Sequence, residues 1–383
     1  CFFDDFYLFK KALVWFQAEK TTPNLNVMSG IVEYDHLTQM AYLFAWPSDL
    51  IAWRRLIDFI IRRIQEIPQR LYPEVISIFE VWQHALSGYK NPTSHAILKQ
   101  CSLWLSSAED ERKTFRDYSK QKKHCNNVID LSSFHESLAS LIILSTLSEP
   151  EFASEYLQRV TRQSRIEEKN FHNIIKYSGI LSQTLPKQLV DISLAFLLKE
   201  LPEERISRVI LEQKTNSERR KSLLAKPEAE RTEREQLELS HSTLLSGISP
   251  HSHDWDELSL DGHRFFPASP IRNPFHSLFQ SAPKDGLRLV REICNHATTA
   301  WRQLHRCSDD SRGTPIPLEI KFPWGTQKFW GNNREYLWCR AVWPPYILGC
   351  ALMALEEWCC AELERKTSAD ELIRTIVEGN ECV

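Results

Sequence analysis

The chain has 383 residues, 42 % of them hydrophobic and 25 % charged, with a formal net charge of −3. Such totals are those of an ordinary globular protein, long enough to bury its apolar surface without disulfides or a structural metal. They exclude a net field that would draw nucleic acid or an anionic membrane to the whole molecule.

In chain order, residues 1–211 read as successive amphipathic helices. Ser48 can cap a helix through Leu50, Ile57, Ile60, Ile61 and Ile64, ended by Pro68. Pro73 opens another through Val75, Ile76, Phe79 and Trp82, closing near Gly88. Residues 131–147 form a more buried helix, and Ser148 with Glu151 has capping-box spacing ahead of Phe152, Tyr156 and Val160. Pro186 and Pro202 stand where first helical turns begin. Helices of this length joined by short turns predict antiparallel pairs. The expected fold is all-α, either an irregular bundle or an α-solenoid of HEAT- or TPR-like helix pairs.

Residues 212–264 shift to mixed charge and then to a polar linker, with a break near Pro227. Residues 265–383 form a tryptophan-rich helical domain. One helix starts near Lys284 and sets Leu287, Val290, Cys294, Ala297, Trp301 and Leu304 on one face. A second follows Pro344-Pro345 and presents Leu348, Leu352, Leu355, Cys359 and Leu363. Ser368 and Glu371 have capping-box spacing for a short last helix ending near Gly379. Between the two long helices, residues 322–340 read as a loop crowded with large rings. Glycine, at 11 residues, is scarce enough to favour helices over tight hairpins throughout.

Motifs for chemistry are missing. No two glycines are two or five positions apart, so neither the dinucleotide fingerprint nor a P-loop is present. There is no His-Glu-x-x-His, no Gly-x-Ser-x-Gly and no Cys-x-x-Cys among the 10 cysteines. The cysteine usage fits reduced thiols of a cytoplasmic protein, and no stretch reaches the roughly 18–20 apolar residues that cross a bilayer. Asn295-His296 lies beside an apolar helix face, where a histidine is more often satisfied by a backbone carbonyl than poised as a base.

Three groups of residues remain as candidate sites. Trp324, Trp330, Trp338 and Trp343, with Arg334 among them, either fill the space between the two C-terminal helices or present an aromatic platform to a protein partner. Arg54, Arg55, Arg62 and Arg63 lie opposite an Ile/Leu stripe, and Lys122 and Lys123 sit in a basic connection. Either group could touch phosphates, against the simpler reading of a solvated face. His251, His253, Asp254 and His263 are dense enough to hold a divalent ion as in a metal-dependent hydrolase, although a solvated loop explains them as well.

The runs 274–279, 283–290 and 295–298 with Trp301, and the tracts 330–338 and 350–358, resemble a helical region of very large bacterial multidomain ATP-binding proteins suspected of roles in phage defence. The resemblance covers about a third of the chain and carries no catalytic residue. It implies an ATP-binding domain elsewhere in a longer polypeptide and no cofactor within this stretch. The start in Cys1-Phe2-Phe3 and the stop just after a helix are read in the same sense, as the ends of an excerpt. The expected function is a non-catalytic scaffold or sensor that binds protein or other domains of its own polypeptide, with nucleic acid the alternative partner and no membrane.

Overall fold

A computed structural model describes residues 47–68, 71–86, 88–118, 134–163, 166–227, 230–233, 235–236, 239, 258–260, 265–307, 316–331 and 346–381. Over these the protein is predominantly helical, an irregular bundle of paired helices with one β-hairpin and a Trp/Phe-rich cluster near the C-terminus. The chain divides into two compact units, Cys1–Ile192 and Ser193–Val383.

In the first unit the helices are α1 (Pro47–Arg62), α2 (Tyr72–Leu86), α3 (Pro92–Tyr118), α4 (His135–Leu144), α5 (Pro150–Thr161), α6 (Glu168–Ile175) and α7 (Ser178–Thr184). Helix α8 (Pro186–Leu197) contains the point of division. The central helix is α4, which meets α2, α3, α5 and α6. Its sequence is apolar on several sides because it is enclosed: Leu138, Ala139, Leu141, Ile142 and Ile143 are all buried. Asn91 starts α3, accepting from the Ser94 N–H at 2.8 Å ahead of Pro92 in the first turn. Trp104 from α3 stacks on Tyr72 with centroids 4.8 Å apart.

The capping box expected at Ser148 does not form. Helix α5 begins with Pro150, so its N-cap is Glu149, and the Ser148 hydroxyl donates back to the Ser145 carbonyl at 3.2 Å. Pro150 lacks an N–H and fixes φ, which sets the helix start one residue later than the Ser-x-x-Glu spacing implies.

The second unit contains α9 (Pro202–Ala225), α10 (Phe275–Ser281), α11 (Pro283–Cys307), β1 (Leu318–Phe322), β2 (Gly325–Phe329), α12 (Tyr346–Glu364) and α13 (Ala369–Val377). Its core is the trio α10, α11 and α12, each touching the other two. Phe275, Leu278, Leu289, Ile293, Ala297 and Cys350 are fully enclosed there. The turn between α10 and α11 is tight enough that a Cβ on Gly286 would stand 3.2 Å from the Phe279 ring. Helix α9 is exposed along nearly its whole length, with only Pro202 and Leu223 buried. On it Arg208 bridges Glu212 and Glu200, the latter just ahead of the helix.

Two expectations for this unit are corrected. Residues 318–329 form an antiparallel hairpin with register Leu318↔Phe329 to Phe322↔Gly325, so 322–329 are not part of a loop. Pro323-Trp324 turns the chain, and because Pro323 cannot take the positive φ of a type I′ turn, Gly325 absorbs the twist at φ +145°. On α12 the buried residues are Ile347, Leu348, Gly349, Cys350, Ala351 and Ala354, all in the first half, whereas Leu363 stays 50 % exposed. The spacing of its leucines is helical, but the fully buried residues stop at Ala354, and beyond it Trp358 stacks on Phe279 of α10 with centroids 5.5 Å apart.

Candidate functional site

The α11 apolar stripe turns Leu287, Val290, Cys294 and Ala297 into the core and so fixes what the other faces carry. Arg291, Asn295 and Arg302 recur at +4 and +7, which sets them on one face. That face holds the C-terminal segment. Arg291 donates to the Thr375 carbonyl at 3.1 Å. The Asn295 amide donates to the Gly379 carbonyl at 3.0 Å, and its oxygen accepts the Glu381 N–H at 2.8 Å. Arg302 meets the Glu381 carboxylate at 3.4 Å.

The hairpin joins the same assembly. The Trp330 N–H donates to the Glu381 carbonyl at 2.7 Å, and the Arg302 guanidinium lies over the Trp330 ring at 3.8 Å. The Gln327 side chain accepts from the Trp324 indole N–H at 3.1 Å and donates to the Val377 carbonyl at 3.2 Å. Trp324 stacks on Phe322 with centroids 4.7 Å apart and planes 8° from parallel, while Arg374 of α13 stands 5.8 Å from its ring. Both tryptophans are half-buried. Trp330 thus packs on α11 and the segment after α13, and Trp324 stays partly exposed beside Phe322. Trp338, Trp343 and Arg334 lie outside the described residues.

His296 faces the other way from Asn295. Its Nε2 lies 2.9 Å from the Lys199 carbonyl and 3.1 Å from that of Ser259. Both oxygens only accept, so Nε2 carries the proton. The same Ser259 carbonyl accepts the Lys199 N–H at 2.7 Å, and Leu198 pairs with Leu260 as an isolated bridge. Burial pulls the His296 pKa below its ordinary value, and the two carbonyls only partly offset this. The structural role expected of this histidine is the one it has.

Of the basic residues, Arg54, Arg55 and Arg62 are exposed on α1, opposite the buried Leu56, Ile57 and Ile60. Asp58 sits among them, 3.9 Å from Arg54. Arg63 follows the helix end and pairs with Glu66 at 2.9 Å. Lys122 and Lys123 lie outside the described residues, as do His251, His253, Asp254 and His263. Among the described residues no three His, Cys, Asp or Glu side chains group so as to hold a metal ion, and no helix is long and apolar enough to cross a membrane. The Cys359 thiol is pushed up to about 11 by burial and by Cys360, Glu356 and Glu362, which keeps it protonated at neutral pH.

Sequence reasoning missed Arg302, Gln327, Arg374 and Glu381. The +4 and +7 recurrence on α11 is the one signal that could have found Arg302. Arg374 and Glu381 are distant in sequence from the rings they meet and carry no local mark. No protein-family model matches this chain, and no curated protein matches it.

Proposed function

We propose that this chain is a non-catalytic helical scaffold or sensor segment that acts by protein recognition. The setting is the one its C-terminal resemblance implies: a larger bacterial NTPase-type protein of phage defence whose ATP is held by another domain. The observation that carries the reading is Trp324. Its ring is stacked on Phe322 and tethered through Gln327, yet it stays partly exposed. An immobilised aromatic edge loses little side-chain entropy when a partner covers it, which is the property of an interface anchor. The exposed Leu318 and Ile320 extend the same apolar surface.

A photo-crosslinking amino acid placed at position 324 in the native host tests this, with the exposed Ser217 of α9 as the control position. Adducts at 324 with a protein other than a second copy of this chain, absent at 217, are the expected result. Adduct formation no greater at 324 than at 217 removes the reading.

A second reading, nucleic-acid binding, is favoured by α1. Arg54, Arg55 and Arg62 share one exposed face, and Arg55 has no ion pair among the described residues. On this reading affinity falls with salt, with a slope of about −0.9 per phosphate contacted in log–log form. Combined Arg54→Ala, Arg55→Ala and Arg62→Ala substitution flattens that slope. No binding of duplex or single strands at low salt excludes it.

A further inference from the structure

The outer edge of β1 is complementary to itself. Because the turn has two residues, Phe322 and Gly325 form the closing hydrogen-bonded pair of the hairpin. The alternation then points the backbone groups of Leu318, Ile320 and Phe322 toward β2. Those of Glu319 and Lys321 point outward, to the side of the sheet that has no strand partner among the described residues.

Now place a second copy of β1 antiparallel along that edge, with a two-fold axis through Ile320. Glu319 then stands opposite Lys321 of the other copy, on both sides of the axis. Leu318 stands opposite Phe322, and Ile320 opposite itself. The two Glu–Lys pairs fall where the outward N–H and C=O groups are, so each exchanges both of its hydrogen bonds. Charge, apolar contact and hydrogen-bond phase all match in this one register. A shift by one residue sets each side chain on the wrong face of the joined sheet.

The free copy leaves these groups unmatched. Leu318 is 54 % and Ile320 37 % exposed, and Lys321 has no ion pair among the described residues. Glu319 pairs with Lys328 at 2.9 Å, so pairing across the axis extends this to a row Lys328–Glu319–Lys321 of alternating sign. The next outward positions on either side are Pro317 and Pro323, which have no N–H to give. They end the pairing after these two hydrogen-bonded pairs. The contact is therefore a closed two-fold dimer, not a growing sheet.

We propose that β1 is a homodimerisation edge, whose partner is the β1 strand of a second copy of this chain in antiparallel register about Ile320. The proposal stands apart from protein recognition by Trp324: it is read by oligomeric state, whereas that reading is tested by adducts at position 324.

Equilibrium sedimentation of the full chain tests it. The expected result is a monomer–dimer equilibrium in about the 10–100 µM range, as befits a small interface. Glu319→Lys alone and Lys321→Glu alone each oppose like charges at both pairs and weaken association about tenfold. An equimolar mixture of those two variants restores opposite charges at both pairs and brings the dimer back, which misfolded variants would not do. Lys321→Pro removes an outward donor without touching the β1–β2 bonds and abolishes the dimer. A wild-type chain that stays monomeric at about 500 µM, well above this range, overturns the proposal. So does a dimer indifferent to all three substitutions, or a mixture that fails to recover association.

Discussion

Asn295 and His296 are adjacent on α11, about 100° apart around the helix, and each fastens a different piece of chain. Asn295 satisfies one donor and one acceptor of the segment after α13. Removing both bonds with Asn295→Ala is expected to cost about 1–2 kcal/mol, since each is partly solvated. Native-state hydrogen exchange reads the effect locally: the Glu381 and Trp330 amides should exchange faster, while amides in the α10–α11 core should not change. His296 holds the carbonyls of Lys199 and Ser259. Because its folded pKa lies below the unfolded value of about 6.5, the unfolded chain binds the extra proton first as the solution is acidified. Its contribution is therefore present above that pH and is lost as pH falls below it. Melting curves between pH 7.5 and 5.5 should show a drop that His296→Gln reduces; an unchanged drop would falsify the assignment. The backbone role of His296 was legible from its place beside an apolar stripe. The partners of Asn295 were not, because they lie some 84 residues or more away and are backbone groups, which leave no trace in side-chain identity.

At the scale of elements, α9 and α10 differ in what holds them. Helix α10 is short, but Phe275 and Leu278 are fully enclosed between α11 and α12. Helix α9 is long, yet Ile210 is 59 % exposed and most of its residues face water. Leu278→Ala should therefore cost about 2–5 kcal/mol, through lost burial and the cavity left behind. Ile210→Ala should stay within about 0.5 kcal/mol. Urea unfolding of the two variants compares them, and equal losses would mean α9 is covered in solution. Helix existence was readable where proline starts coincide with periodic apolar residues, as in α2, α8 and α9. The hairpin was not readable. Its β1 alternation, Leu-Glu-Ile-Lys-Phe, is period two, but the scarcity of glycine and the density of rings from Phe322 onward favour a loop over a second strand. Gly325 alone was enough for the turn.

At the scale of the molecule, the two binding modes to compare are recognition through Trp324 and contact with phosphates through α1. They predict opposite salt behaviour. Partner capture by a stacked aromatic edge and neighbouring Leu318 and Ile320 should persist at high salt, because burial of apolar surface is not screened. Binding through Arg54, Arg55 and Arg62 should weaken steeply. Repeating the position-324 crosslinking and the nucleic-acid titration at low and high salt separates them.

The sequence by itself determined that the protein is helical and where most described helices run. It also determined which face of α11 is apolar and that His296 serves the backbone. These follow from local periodicity, capping chemistry and proline, which act within a few turns of chain. Only the tertiary structure decided that 318–329 pairs into a hairpin and that Trp330 lies under Arg302. It alone decided that the fully buried residues of α12 fall in its first half, and that the α11 polar face grips the segment after α13. Each of those depends on contacts between residues far apart in the chain, whose free energy comes from burial and partner geometry and not from any neighbour in sequence.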